Sequence, residues 1–151
     1  MHNIYELIKK GGIFYDVPGK NIEECLKNIC TKLNLPENLS KDLFLSELLK
    51  REEMLSTAVG NGIAIPHTRP LLLKESDSQR IFVCFPKEFL DMDAPDGRKV
   101  SALFILLTSN SEDHLLVLKQ FARMIQNVEV RRAIEQQSPE EEFLECIKKY
   151  Q

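Results

Sequence analysis

Residues 100–108, VSALFILLT, form a run that is apolar at nearly every position. Its longest uninterrupted stretch, 102–107, is far too short to cross a bilayer, which takes about 20 apolar residues as a helix. A strand with one wet face would alternate polar and apolar side chains, and this run does not. It reads as a strand buried on both faces, and such a strand needs a layer of helices on each side.

The rest of the chain supplies those layers. Residues 12–17, GIFYDV, read as a short strand closed by Pro18-Gly19. Apolar side chains at 22, 25, 26, 29, 30 and 33 recur at helical spacing, which predicts a helix over 21–33. Asn21 is its expected cap, with Glu23 and Glu24 in the first turn. Ser40 opens a second helix to about residue 53, with Phe44, Leu45, Leu48 and Leu49 on its apolar face. Residues 57–59 and 62–66 are expected strands, and residues 80–86, RIFVCFP, are a clearer one.

Asp96-Gly97 predicts a tight turn, which implies that part of the sheet is antiparallel. Ser111 is the expected cap of a helix to about residue 126, with Leu115, Leu118, Phe121, Ala122 and Ile125 facing inward. A shorter helix is expected over 129–136. In Ser138-Pro139-Glu140-Glu141 a capping box is combined with a proline at the first helical position, and that helix runs to about residue 150. The expectation is one α/β domain over residues 1–151: a mixed central sheet sandwiched between helices. No internal repeat or linker divides it.

Composition limits the chemistry. The net charge of −3 supplies no basic patch for nucleic acid. The N-terminal MHNIYELIKKGG lacks the apolar core of a secretory signal, and no segment calls for insertion into a membrane. Cys25, Cys30, Cys84 and Cys146 show no CxxC spacing and sit in apolar contexts, so they read as buried free thiols of a cytoplasmic protein. Phosphate-loop, nucleophile-elbow and zinc-helix motifs are absent, and no local pair of ligands argues for a metal.

Histidine is scarce, with three in the chain. His2 lies at the terminus. His67 follows the run Ile63-Ala64-Ile65-Pro66, at the end of an expected strand, where ligand and catalytic groups of α/β sheets gather. A neutral imidazole there is a nucleophile near pH 7. By spacing alone, a histidine that merely closes the strand and hydrogen-bonds to the backbone is the commoner case. His114 falls in the first turn of a helix, whose free N–H groups and dipole attract phosphate, although a solvated first-turn residue fits as well. Arg51 ends an amphipathic helix, either as a solvated cation or as a phosphate clamp. Spacing alone does not decide among these.

The stretch LLKREEMLSTAVGNGIAIPHTR, residues 48–69, resembles the active-site signature of the IIA domains of the fructose/mannitol type in the bacterial phosphoenolpyruvate-dependent phosphotransferase system. Glu52, Ser56-Thr57, Gly60 and Ile63-Ala64-Ile65-Pro66-His67 fill the places of that pattern. IFYDVPGKNIEECLKNI is similar to the family's opening strand and helix, and EDHLLVLKQFARMI to its helix near a second histidine. The resemblance implies the mannitol-type fold and a phosphocarrier with no cofactor and no metal. It implies that His67 accepts phosphate as tele-phosphohistidine, that Arg51 holds the phosphoryl group and that His114 assists by hydrogen bonding. Thr57 and Arg69 are added as candidate phosphate contacts.

The implied donor is phospho-HPr or an NPr-like paralogue, and the acceptor is an EIIB domain or a regulatory target protein. GGIFYDVPG and the Thr68-Arg69 pair after the histidine, where sugar-transport members often carry glycine, look more like nitrogen-regulatory members. The alternative is a sugar-specific component serving a IIB domain. A binding module that has lost phosphotransfer is disfavoured by His67, Arg51 and His114 occurring together.

Overall fold

In the computed structural model, which describes residues 3–151, a five-stranded sheet has the order β1-β4-β5-β3-β2. The strands are β1 (Gly12–Val17), β2 (Ala58–Gly60), β3 (Ile63–Ala64), β4 (Arg80–Pro86) and β5 (Ala102–Leu107). The helices are α1 (Ile4–Gly11), α2 (Ile22–Cys30), α3 (Lys41–Met54), α4 (Ser111–Met124), α5 (Val128–Glu135) and α6 (Glu140–Tyr150). Strand β1 runs parallel to β4, and β3 parallel to β5, whereas β4/β5 and β2/β3 are antiparallel. The sheet is therefore mixed, as expected. His2 lies outside the described residues.

The apolar run is the middle strand, and every residue of β5 is buried. Its pleat divides the core in two. Leu103, Ile105 and Leu107 join Phe82 and Cys84 of β4 against α2 and α3. Ala102, Phe104 and Leu106 join Ile81, Val83 and Phe85 against α1, α4, α5 and α6. Alternation thus serves two cores. Cys25, Cys30 and Cys84 are buried free thiols in the first core, with the Sγ atoms of Cys25 and Cys84 3.9 Å apart. Cys146 is half-buried.

One helix is added to the expected elements, and three local expectations are corrected. Residues 4–11 form α1, capped by the Asn3 side chain; Ile4, Leu7, Ile8 and Gly11 recur at helical spacing on its buried face. Gly11 is required by contact: a Cβ there would lie 2.0 Å from the Ile81 carbonyl oxygen of β4. Asn110, not Ser111, caps α4, accepting from Asp113 N–H at 2.8 Å. The buried face of α4 is Val117, Phe121 and Met124, because Phe121 stands edge-on to Phe104 at 4.6 Å. Leu115 is thereby turned out, 52% exposed, and Ala122 is exposed. Before α6, Ser138 donates its own N–H to Ala133 and so closes α5; Pro139 takes the cap position, and no capping box forms.

The expected strand over residues 62–66 is regular only at Ile63–Ala64. Pairing continues irregularly past it, since Ile65 N–H donates to Thr57 O and Pro66 O accepts from Leu106 N–H. Asn61 and Gly62, with φ of 56° and 77°, form the two-residue turn between β2 and β3. The Asp96 carboxylate accepts from Asn61 N–H at 2.8 Å and ties that turn to the loop before β5.

Candidate functional site

The β2/β3 hairpin ends beside β5, so the residue after Pro66 emerges at the sheet end from which α4 starts. Two histidines meet there. The rings of His67 and His114 are 5.0 Å apart, centroid to centroid, and tilted by 53°. Both are partly buried.

The hydrogen bonds of His67 settle its tautomer. Its Nδ1 lies 2.8 Å from the Ile65 carbonyl oxygen. A carbonyl only accepts, so Nδ1 carries the proton and, in the neutral ring, Nε2 carries the lone pair. Ile65 is itself held, through its N–H, by Thr57 O at 3.1 Å. Thr57 in turn is bound twice by Glu52 from the end of α3: its N–H donates to Oε2 at 3.2 Å and its hydroxyl donates to Oε1. The chain of contacts Glu52–Thr57–Ile65–His67 orients the ring.

His114 is held by Thr108 at the end of β5, with Nδ1 3.0 Å from Oγ1. Burial, and secondarily the nearby His67, hold its imidazole below the usual histidine pKa, so it stays neutral near pH 7. The loop that carries it is laced together. Asn110 caps α4 and also donates its amide to Asp113 at 3.1 Å.

Arg51 donates from Nη1 to the Leu55 carbonyl at 2.6 Å, which fixes the guanidinium at the C-terminal end of α3. Arg69 lays Nη1 against Met54 Sδ at 3.6 Å. Among the described residues neither has a carboxylate partner within ion-pair distance. Thr57 stands differently: it is 5% exposed, and its hydroxyl proton is engaged by Glu52, so it has no free donor for a phosphoryl oxygen. Thr68 is buried, and its hydroxyl donates to Pro70 O at 2.7 Å. Positive φ outside glycine falls at Asp16, Asn61, Asp93 and Gln137 among the described residues, so Thr68 is not strained by replacing a glycine.

Sequence reasoning passed over Glu52 as a brace, although its place beside Arg51 was visible. It also passed over Thr108 and Gln79, polar residues flanking strands with no periodic signal. Exposed apolar side chains lie next to the site residues along the chain: Met54 (59%), Leu55 (71%) and Leu115 (52%). Among the described residues no cluster of metal-ligating side chains occurs, and no helix is long and apolar enough to cross a membrane.

Comparison with known proteins agrees with the geometry. The family described as "Phosphoenolpyruvate-dependent sugar phosphotransferase system, EIIA 2" matches residues 6–150. The chain is 35% identical over 136 residues to a nitrogen regulatory protein of Pseudomonas aeruginosa, covering 87% of this chain and 85% of that one. The nitrogen regulatory protein IIA-Ntr of Neisseria meningitidis superposes with a TM-score of 0.76 at 29% identity, over 89% of this chain and 92% of the other. The mannitol IIA of Escherichia coli, solved in complex with phosphorylated IIB, shares the fold: its TM-score is 0.69 at 16% identity, over 91% and 94% of the two chains.

Proposed function

Because the chain belongs to the EIIA 2 family of the phosphoenolpyruvate-dependent phosphotransferase system, we propose that His67 is its phospho-acceptor and that the phosphate serves a nitrogen-regulatory role. The observation that carries this reading is the hydrogen bond from His67 Nδ1 to Ile65 O. It leaves Nε2 as the unprotonated nitrogen of a ring beside a second, neutral histidine. The Nε2 lone pair attacks the phosphorus of a phosphohistidine on HPr or an NPr-like paralogue. A P–N bond forms at His67 as the P–N bond to the donor's imidazole breaks, its electron pair returning to that ring. Nδ1 keeps its proton and its bond to Ile65, so no proton leaves the site.

Phosphoryl transfer depends on positioning and on neutralising the equatorial oxygens. Arg51 has donors beyond the one given to Leu55 and serves as the clamp. His114 donates from Nε2 when its Nδ1 accepts from the Thr108 hydroxyl. Arg69, exposed beside His67, adds a cation at the mouth. The site works in the cytoplasm with no cofactor.

Incubation with phosphoenolpyruvate, the first enzyme of the system and HPr tests the assignment. The expected product is acid-labile phosphate on the wild type and none on His67→Ala. An unphosphorylated wild type, or undiminished labelling of the variant, refutes it. A sugar-transport role is the second reading, favoured by the fold shared with a mannitol IIA solved with its phosphorylated IIB. Rapid discharge of the phosphoprotein onto a purified fructose- or mannitol-type EIIB supports that reading; retention of phosphate in its presence supports regulation.

A further inference from the structure

Gln79 precedes β4 and is only 2% exposed, so its amide needs internal partners. Both ends have one. Oε1 accepts from Ser109 N–H at 2.9 Å, and Nε2 donates to the Asp113 carboxylate at 3.0 Å. These contacts bracket the second histidine. Ser109 follows Thr108, whose hydroxyl meets His114 Nδ1 at 3.0 Å, and Asp113 directly precedes His114. A primary amide presents an acceptor and a donor side by side, and the pattern of partners admits one orientation, with the oxygen toward the N–H and the nitrogen toward the carboxylate.

We infer that Gln79 is a positioning residue of the phosphoryl-transfer site. By clamping residues 109 and 113 to the start of β4, it sets the gap that Thr108 and His114 close between them. It thereby holds the His114 ring 5.0 Å from that of His67. The inference rests on the phosphocarrier reading above. Gln79 touches neither ring; it acts through Ser109 and Asp113, the chain neighbours of Thr108 and His114, as outer-shell partners orient the ligands of a metal.

Two variants separate this role from bulk packing. Gln79→Glu keeps the acceptor for Ser109 but sets a carboxylate against Asp113. Gln79→Met, neutral and of similar length, removes both amide contacts without adding charge. Each is read by ¹⁵N NMR of the imidazoles in the unphosphorylated protein, and by the kcat and KM of phosphorylation with phospho-HPr. For Gln79→Glu the expected outcome is a shifted or broadened His114 ring with the His67 Nδ1–H signature kept. The expected kcat falls about 10-fold with KM within about twofold, since a displaced group of under 1 Å already costs rates of that order. Where Gln79→Glu does not fold, Gln79→Met is expected to show the same kcat loss and His114 shift.

Unchanged His114 signals and kcat overturn the inference. So does a raised KM at constant kcat. A wild type that accepts no phosphate while the His114 signals still respond to Gln79 removes the phosphocarrier reading, and with it the catalytic meaning of the clamp. A phosphorylated wild type whose variants behave normally removes the clamp alone.

Discussion

Replacing Thr57 with valine tests whether the His67 loop is anchored to α3. Valine keeps the β-branched shape and the backbone N–H, so the bond from Thr57 N to Glu52 Oε2 at 3.2 Å stays. What goes is the hydroxyl bond to Glu52 Oε1. A hydrogen bond to a charged group contributes roughly 1.5–3 kcal/mol net. Glu52 is only half-buried, so water reaches the freed oxygen and the low end, about 1.5 kcal/mol, applies. For a chain of this length, melting shifts by roughly 2–4 °C per kcal/mol, which gives a fall of about 3–6 °C. Glu52→Gln is the comparison. Its amide oxygen accepts from Thr57 N–H and its NH₂ donates to the Thr57 hydroxyl, so only the charge assistance is lost, and a fall of about half that size is expected. Thermal unfolding followed by circular dichroism reads both. A Thr57→Val protein melting within about 1 °C of wild type, or Glu52→Gln losing more than Thr57→Val, refutes the anchoring argument.

Gly62→Ala places a Cβ 3.0 Å from Ser101 Oγ at φ +77°, so it is expected to lower the melting temperature more than Gly97→Ala, where φ is +74° but nothing lies within 4 Å. Left-handed backbone alone costs about 1–2 kcal/mol; equal losses at the two glycines would show that the turn and not the contact decides. Asn110→Ala removes the cap that accepts from Asp113 N–H and is expected to cost about 1 kcal/mol. Faster hydrogen exchange at the first-turn amides of α4 checks it. For His114, burial and then His67 hold the folded pKa below the unfolded value of about 6.5. On acidification the unfolded chain takes up that proton first, so stability falls as pH drops through and below about 6.5. Melting curves between pH 7 and pH 5 are expected to show a shallower decline for His114→Gln than for wild type.

The elements that sequence reveals best are those whose apolar pattern has one solution. Residues 102–107 can only be a strand covered on both sides, and the alternation through β4 and β5 follows from it. Asn21 and Ser40 are legible as caps because each stands directly before a periodic run and accepts from the residue three places on. The face of α4 is only partly legible: the expected stripe of Leu115, Leu118, Phe121, Ala122 and Ile125 shares Phe121 with the observed face of Val117, Phe121 and Met124, and Leu118 and Ile125 pack at its edge. The choice between them falls to Phe104 on another element. Ser138 carries a capping-box pattern, but its N–H is drawn to Ala133 by the end of the preceding helix. Of the proposed site residues, His67, Arg51 and His114 emerge from motif resemblance, because each sits in a recognisable local string. Gln79 does not, because its partner Asp113 is 34 residues away and buried amides carry no period.

The distinction between the two histidines lies in their partners rather than in their rings. A carbonyl oxygen at Nδ1 leaves His67 one neutral tautomer, with its lone pair at Nε2. A hydroxyl at Nδ1 leaves His114 two, because Thr108 Oγ1 both donates and accepts. The ring with one tautomer suits a nucleophile, whose attacking nitrogen must be bare before the donor arrives. The ring with two suits an assistant, which can present a proton at Nε2 once a phosphoryl oxygen is beside it and needs only a hydroxyl rotation to do so. Burial, by keeping His114 neutral, preserves that choice; a permanently charged imidazolium would donate at both nitrogens and would also stabilise the phosphohistidine against onward transfer. A carrier must release what it accepts, and under the proposed assignment a neutral, adjustable His114 beside a His67 with one tautomer meets both requirements.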